Sequence, residues 1–231
     1  MKKVHIKIRF TDSILGMSPS NPEIYEDYIL SKNPNRDTFE ENDELDAIDG
    51  MGEEKSTITV FPRADGGLPC FFDYQIRGFF KDSCKLLAHV KGVDETGKRS
   101  KKKAATLSGT LVAYQKVIDG NIFVSPRKIV IHTDKDITLC QRPLRAMTAK
   151  GERISLACSE EIAAGAWAEF DVTLYNDEDL DVLAEWMAYG RDHGMGQWRN
   201  SGRGRFEVEE FTVYEHSAKF TPYFQIERRD K

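Results

Sequence analysis

The chain is short of the residues and patterns that define several function classes. Of its 231 residues only four are cysteine, at positions 70, 84, 140 and 158. None stands in a Cys-x-x-Cys pair and no histidine lies at zinc-finger spacing, so reduced, mostly buried thiols are expected, with no disulfide framework and no metal site. No run approaches the about 20 apolar residues of a membrane span. The first residues, MKKVHIKIRF, contain no apolar stretch of signal-peptide length. A cytoplasmic protein with no membrane partner, beginning at this strand, is the expectation. The Gly-Lys-Ser/Thr ending of a phosphate-binding loop is missing, and no glycine fingerprint follows a strand and opens a helix, so no nucleotide cofactor is expected. Charge of one sign is also scarce: 33 Lys and Arg stand against 38 Asp and Glu, a net of −5. That excludes a polybasic protein and gives no global pull toward nucleic acid. With 40% hydrophobic residues the chain is too apolar to be disordered.

The small total hides strong segregation. Residues 1–70 carry a net of −6, residues 71–150 a net of +9, residues 151–190 a net of −9 and residues 191–231 a net of +1. The acidity of the first block is concentrated in residues 37–54, which hold nine acids and no base. An acidic insertion or exposed helix is expected there, without the Asp-x-Asp-x-Asp-Gly pattern of a calcium loop. In the basic block, Lys98, Arg99, Lys101, Lys102 and Lys103 form a cluster within a predicted loop at 91–103. Loops of this charge bind phosphates without sequence preference, or simply solubilise a surface. Arg77, Lys81, Lys85 and Lys91 would extend that surface, with Arg127, Lys128, Arg142 and Arg145 beyond.

Periodicity predicts a strand at Val4–Phe10, with Val4, Ile6, Ile8 and Phe10 facing a core. It predicts a short helix at 22–30, a strand at 56–61, a helix at 71–90 and an acidic helix at 177–189 closed by Gly190. Further strands are expected near 107–116, 121–125, 128–132, 153–158, 167–175, 206–214 and 219–226, with Asp119-Gly120 as a hairpin turn. The segment around Asp134 and Asp136 and the run Ser159-Glu160-Glu161 are expected to be turns. Together these give an α+β fold, mainly antiparallel, with about three helices. A single domain over 1–231 with a ferredoxin-like β-α-β-β-α-β core and inserted hairpins fits.

The densest unusual segment runs from Gly190 to Phe206. It holds five glycines (190, 194, 196, 202 and 204), four arginines (191, 199, 203 and 205), His193 and Trp198. Glycine lets backbone approach a ligand closely, arginine forks onto phosphate oxygens, and tryptophan stacks on an unpaired base. The bland alternative is a long connector whose glycines make turns and whose arginines solvate it.

This segment resembles the glycine-rich loop of the RAMP superfamily, the RNA-binding proteins of CRISPR effector complexes. The match is the ending Gly196-Gln-Trp-Arg-Asn-Ser-Gly202-Arg-Gly204-Arg205-Phe206 after a helix. Two further segments resemble family signatures: Thr11-Asp-Ser-Ile-Leu15-Gly16 after the first strand, and Leu68-Pro69 followed by Arg77-Gly78 in a helix. Pro69 is followed here by Cys-Phe-Phe-Asp where the family has small residues.

The resemblance implies a ferredoxin-like core that binds single-stranded, guide-like RNA, with other copies or effector subunits as partners. It would fit a protein of antiviral defence or a phage- or prophage-encoded relative. The implied RNA contacts are Arg77, Lys81, Lys98, Arg99, Lys101, Lys102, Lys103, Arg191, His193, Trp198, Arg199, Gly202, Arg203, Gly204 and Arg205. Members that process RNA use a histidine in the first half; here that half offers His5, inside a strand, and His89, late in a helix, neither placed as a general base. A target-cleaving member would use an acid such as those from Asp37 to Asp49. A non-catalytic binder is therefore the first reading. A protein-interaction or assembly module using its charge blocks, and an endoribonuclease, stay open beside it.

Overall fold

The computed structural model describes residues 1–20, 58–93, 99–148 and 151–215. The expected helix at 22–30, the acidic segment 37–54, Lys98 and the strand at 219–226 lie outside the described residues.

Strand β1 (Lys2–Phe10) alternates as the sequence requires, with Val4, Ile6, Ile8 and Phe10 all at most 1% exposed. Fully burying side chains of this size contributes about 1.5–3 kcal/mol each, which fixes the register of the strand. Two short strands follow, β2 (Ile14–Leu15) and β3 (Ser18–Pro19), then β4 (Ile58–Val60) and β5 (Cys70–Phe72). Helix α1 (Asp73–Leu87) begins where the Gln75 side chain reaches back to accept from the Phe72 amide at 2.9 Å, one half of a capping box. Asp73 in its first turn and Lys85 in its last suit the helix dipole.

Strands β6 (Lys91–Val93) and β7 (Arg99–Ala104) pair antiparallel. The predicted loop at 91–103 is thus a hairpin. Helix α2 (Tyr114–Asn121) stands where a strand was expected, after a short 3-10 turn at Ser108–Thr110. Leu111, Tyr114 and Ile118 pack on the core, and their spacing of three and four is helical. Asp119-Gly120 closes that helix rather than a hairpin.

Strands β8 (Ile122–Ser125) and β9 (Lys128–His132) follow. Then come β10 (Thr138–Thr148) and β11 (Gly151–Ile162), a long antiparallel hairpin in unbroken register from Thr138 opposite Glu161 to Thr148 opposite Gly151. Strand β12 (Trp167–Leu174), helix α3 (Asp179–His193) and β13 (Phe206–Glu215) complete the described chain. The expected turn around Asp134 and Asp136 is the connection between β9 and β10. The other expected turn is corrected: Ser159-Glu160-Glu161 lies within β11. Glu160 is tolerated there, 4% exposed, because its carboxylate accepts from the Phe61 amide at 2.8 Å and from Arg63 Nη2 at 2.6 Å.

The larger sheet runs β13-β1-β12, with β8 and then β9 along the far edge of β12, and β5 beyond β9. Every pairing in it is antiparallel. The connectivity β1-α1-β8-β12-α3-β13 places the last strand beside the first and the third between first and second, the split β-α-β arrangement expected from sequence. Helices α1 and α3 cover one face, and Phe80 stacks on Trp186 with centroids 5.6 Å apart. The other face carries paired charges: Lys3 and His5 on Asp171 at 2.8 and 2.9 Å, and Arg9 on Glu209. The smaller sheet runs β10-β11-β4-β3, with β2 on the end of β11. Among the described residues no helix is long and apolar enough to cross a membrane.

Gly190 does not end α3. The helix runs on to His193, and Gly194 at φ 75° caps it. Gly190 is required by packing instead, since a Cβ there would lie inside the Phe206 ring.

Candidate nucleic-acid interface

Residues 194–205 leave α3 and double back to enter β13, crossing the end of β1 where the two sheets meet. Their path is fixed by backbone hydrogen bonds. The Met195 amide donates to Gly204 O at 2.9 Å, the Gly204 amide to Ser13 O at 2.8 Å, and the Thr11 amide to Arg205 O at 2.9 Å. Such close backbone approach requires glycine. A Cβ on Gly194 would stand 2.7 Å from Arg203 O, and one on Gly204 would lie far inside contact with the Met195 carbonyl. Both have φ above +70°, a region costly to other residues. Two of the three segments that resemble RAMP signatures, Thr11–Gly16 and the glycine-rich loop, therefore touch each other directly.

The four arginines divide. Arg203 donates to Ser13 Oγ and to Glu161 at the end of β11, tying loop to second sheet. Arg199 bonds Asp82 on α1, and His193 shares that carboxylate at 2.9 Å while stacking on Tyr189 with centroids 5.0 Å apart. Burial works to raise the Asp82 pKa, but the hydrogen bond from His193 and the charge and hydrogen bond of Arg199 outweigh it and hold the carboxyl below its ordinary value. Arg191 and Arg205 are exposed and have no ion pair among the described residues. Gly202, at φ 84°, has only the Arg205 side chain near its Cβ position, at 3.6 Å.

Trp198 is 41% exposed and has φ 58°, a left-handed conformation that a bulky residue rarely adopts. Two guanidiniums lie against its ring, Arg203 at 5.8 Å and Arg142 at 5.1 Å from the centroid. Arg142 comes from β10, and its Nη2 donates to Gln197 Oε1 at 2.7 Å.

The other sequence-predicted residues lie apart from this loop. Arg77 bonds Asp73 at 3.3 Å, and Arg127 bonds the same carboxylate at 2.8 Å. Lys81 pairs with Asp119 on α2 at 2.6 Å. At 100° per residue, Arg77 and Lys81 share one flank of α1, while Asp82, which meets the loop, lies on the other. Arg99, Lys101, Lys102 and Lys103 are on β7. Gly78 has open space around it, so no packing demand explains that glycine. Arg142 carried no motif of its own in the sequence. Its neighbourhood to Trp198 arises only from the hairpin β10–β11 folding back onto the loop.

No protein-family model matches the chain, and no curated protein matches it. Among solved structures it is similar to a chain of the type III-B Cmr-beta complex, seen by cryo-EM bound to cognate target RNA. The identity is 14% and the TM-score 0.46, over 92% of this chain and 60% of that one. It is also similar to a chain of a type IV-B CRISPR complex, at 13% identity and TM-score 0.46, over 97% of this chain and 95% of that one.

Proposed function

We propose that this chain is an RNA-binding subunit of a CRISPR-type ribonucleoprotein, taking single-stranded RNA along the glycine-rich loop. The observation that carries the reading is the exposed Trp198, held in a left-handed conformation on a loop laced to the end of β1 and flanked by Arg142 and Arg203. A rigid aromatic platform between guanidiniums suits an unstacked base and its phosphates. Arg191 and Arg205, exposed at the two ends of the loop, are available to adjacent phosphates. Arg199 and His193, turned onto Asp82, act as supports that position the loop. Arg77, Lys81 and the lysines of β7 would contribute a longer-range field.

The test is a filter-binding titration of a labelled 20-nucleotide single strand and the matching duplex at about 50 and 300 mM salt. Preferential binding of the single strand, weakening with salt, is expected. No binding of the single strand at the lower salt would refute the proposal. Parallel incubation of labelled RNA with and without divalent metal tests the nuclease reading, and an intact band in both is the expected result.

A further inference from the structure

Among the described residues Arg142 is the anomaly. It is 9% exposed, and it carries a full positive charge into the seam between β10 and the glycine-rich loop. No acidic side chain pairs with it among the described residues. Of its guanidinium nitrogens, Nη2 is bonded to Gln197, whereas Nε and Nη1 are buried with no hydrogen-bond partner. The less deeply buried arginines Arg63, Arg77, Arg199 and Arg203 each have a carboxylate, on Glu160, Asp73, Asp82 and Glu161. A buried, unpaired guanidinium is unfavourable for folding. The stacking of Arg142 on Trp198 at 5.1 Å offsets part of that penalty but leaves both donors idle.

We propose that Arg142 is an oxyanion-binding residue that takes a backbone phosphate of the bound single strand, with Gln197 fixing its fork and Trp198 stacking the adjoining base. The proposal rests on the RNA-binding reading above and deepens it. Nε and Nη1 each present an N–H donor that no protein group occupies, and a phosphate oxygen is an acceptor to which a guanidinium donates strongly. Gln197 holds the guanidinium in place through Nη2. Both donors are covered in the free protein, so entry of the strand must expose them.

The experiment uses the full chain, fluorescein-labelled 20-nucleotide oligouridylate, and the variants Arg142→Met and Arg142→Lys. Anisotropy is read from about 50 to 300 mM salt, with thermal unfolding of each protein alone. Arg142→Met is expected to bind about tenfold more weakly and to lower the slope of log K against log salt by about 0.7, one single-strand phosphate. Without RNA it should unfold at or above the wild-type temperature, because the unpaired charge is gone. Arg142→Lys keeps the charge but not the fork and should also bind more weakly, which keeps the test open if the Met variant does not fold. Wild-type affinity and slope in both variants would overturn the proposal while leaving RNA binding intact. Wild-type protein that binds no oligouridylate would overturn the RNA reading and this site with it. Uridine monophosphate at millimolar concentration should not displace the labelled strand. Displacement at micromolar concentration would assign the site to a free nucleotide and overturn the chain-phosphate assignment.

Discussion

Gly204→Ala tests whether the glycine-rich loop is built by close backbone approach. Gly204 has φ 73°, and its added Cβ would collide with the Met195 carbonyl and stand 2.9 Å from its carbonyl carbon. The collision can be relieved only by separating the two backbones. That breaks the Met195 to Gly204 hydrogen bond at 2.9 Å and disturbs the Gly204 to Ser13 bond at 2.8 Å. Two backbone bonds at about 1 kcal/mol each, with about 1 kcal/mol for a left-handed alanine, give about 3 kcal/mol. For a chain of this size that is a fall of about 6–12 °C in Tm. Gly202 and Gly66 are internal controls. Both have φ near +80° but no backbone near the Cβ position, so alanine there costs about 1 kcal/mol and about 2–4 °C. Differential scanning calorimetry of the three variants reads the difference. Hydrogen exchange at the Met195, Gly204 and Thr11 amides locates it, and faster exchange is expected in Gly204→Ala alone. Equal Tm shifts for Gly204→Ala and Gly202→Ala would refute the close-approach account.

Glu160→Ala strands Arg63 and the Phe61 amide in the interior and is expected to destabilise by about 3 kcal/mol in urea unfolding; a loss under about 1 kcal/mol would contradict the role given to that pair. Trp198→Ala should weaken single-strand binding by about 1–3 kcal/mol and leave Tm nearly unchanged; unaltered affinity would remove the stacking platform. Asp82 has a folded-state pKa below its unfolded value, so its stabilising effect is complete above the unfolded pKa and is lost as pH falls through the folded one. The stability gap between wild type and Asp82→Asn, measured by urea unfolding, should therefore narrow from pH 5 to about pH 3; a constant gap would contradict the assignment. Exposed Arg191 and Arg205, each changed to Gln, should reduce the salt slope of RNA binding by about 0.7 per phosphate lost, read by the same titrations; an unchanged slope would exclude them from phosphate contact.

Where a segment's pattern follows from its own period, the sequence was sufficient. The alternation of β1, the span of β9 and the apolar face of α1 were legible because one face of each is buried, so that hydrophobic spacing and backbone period must agree. The segment at 107–121 was misread because its apolar residues are few. Their helical spacing emerges only once α2 is seen packing against α1 and β8. Glu160 looked like a turn residue because a carboxylate inside a strand makes sense only with Arg63, 97 residues earlier in the chain.

The glycine-rich loop was visible as composition, since no other segment combines so many glycines and arginines. What the chain could not reveal locally is the division of labour within it. Gly190 was expected to stop a helix, and it instead admits the Phe206 ring. Arg199 and His193 were grouped with the phosphate ligands, and they lie on Asp82 of α1. Arg142 stood as one basic residue among several and became the unpaired charge beneath Trp198. These assignments depend on partners from β13, α1 and β10, brought together across 16 to 117 positions. Local sequence therefore determined which segments are strand, helix or glycine-rich loop, because backbone period and the conformational freedom of glycine act over a few residues. Tertiary structure decided which charges are neutralised and which stay free, because burial and pairing act across the whole fold.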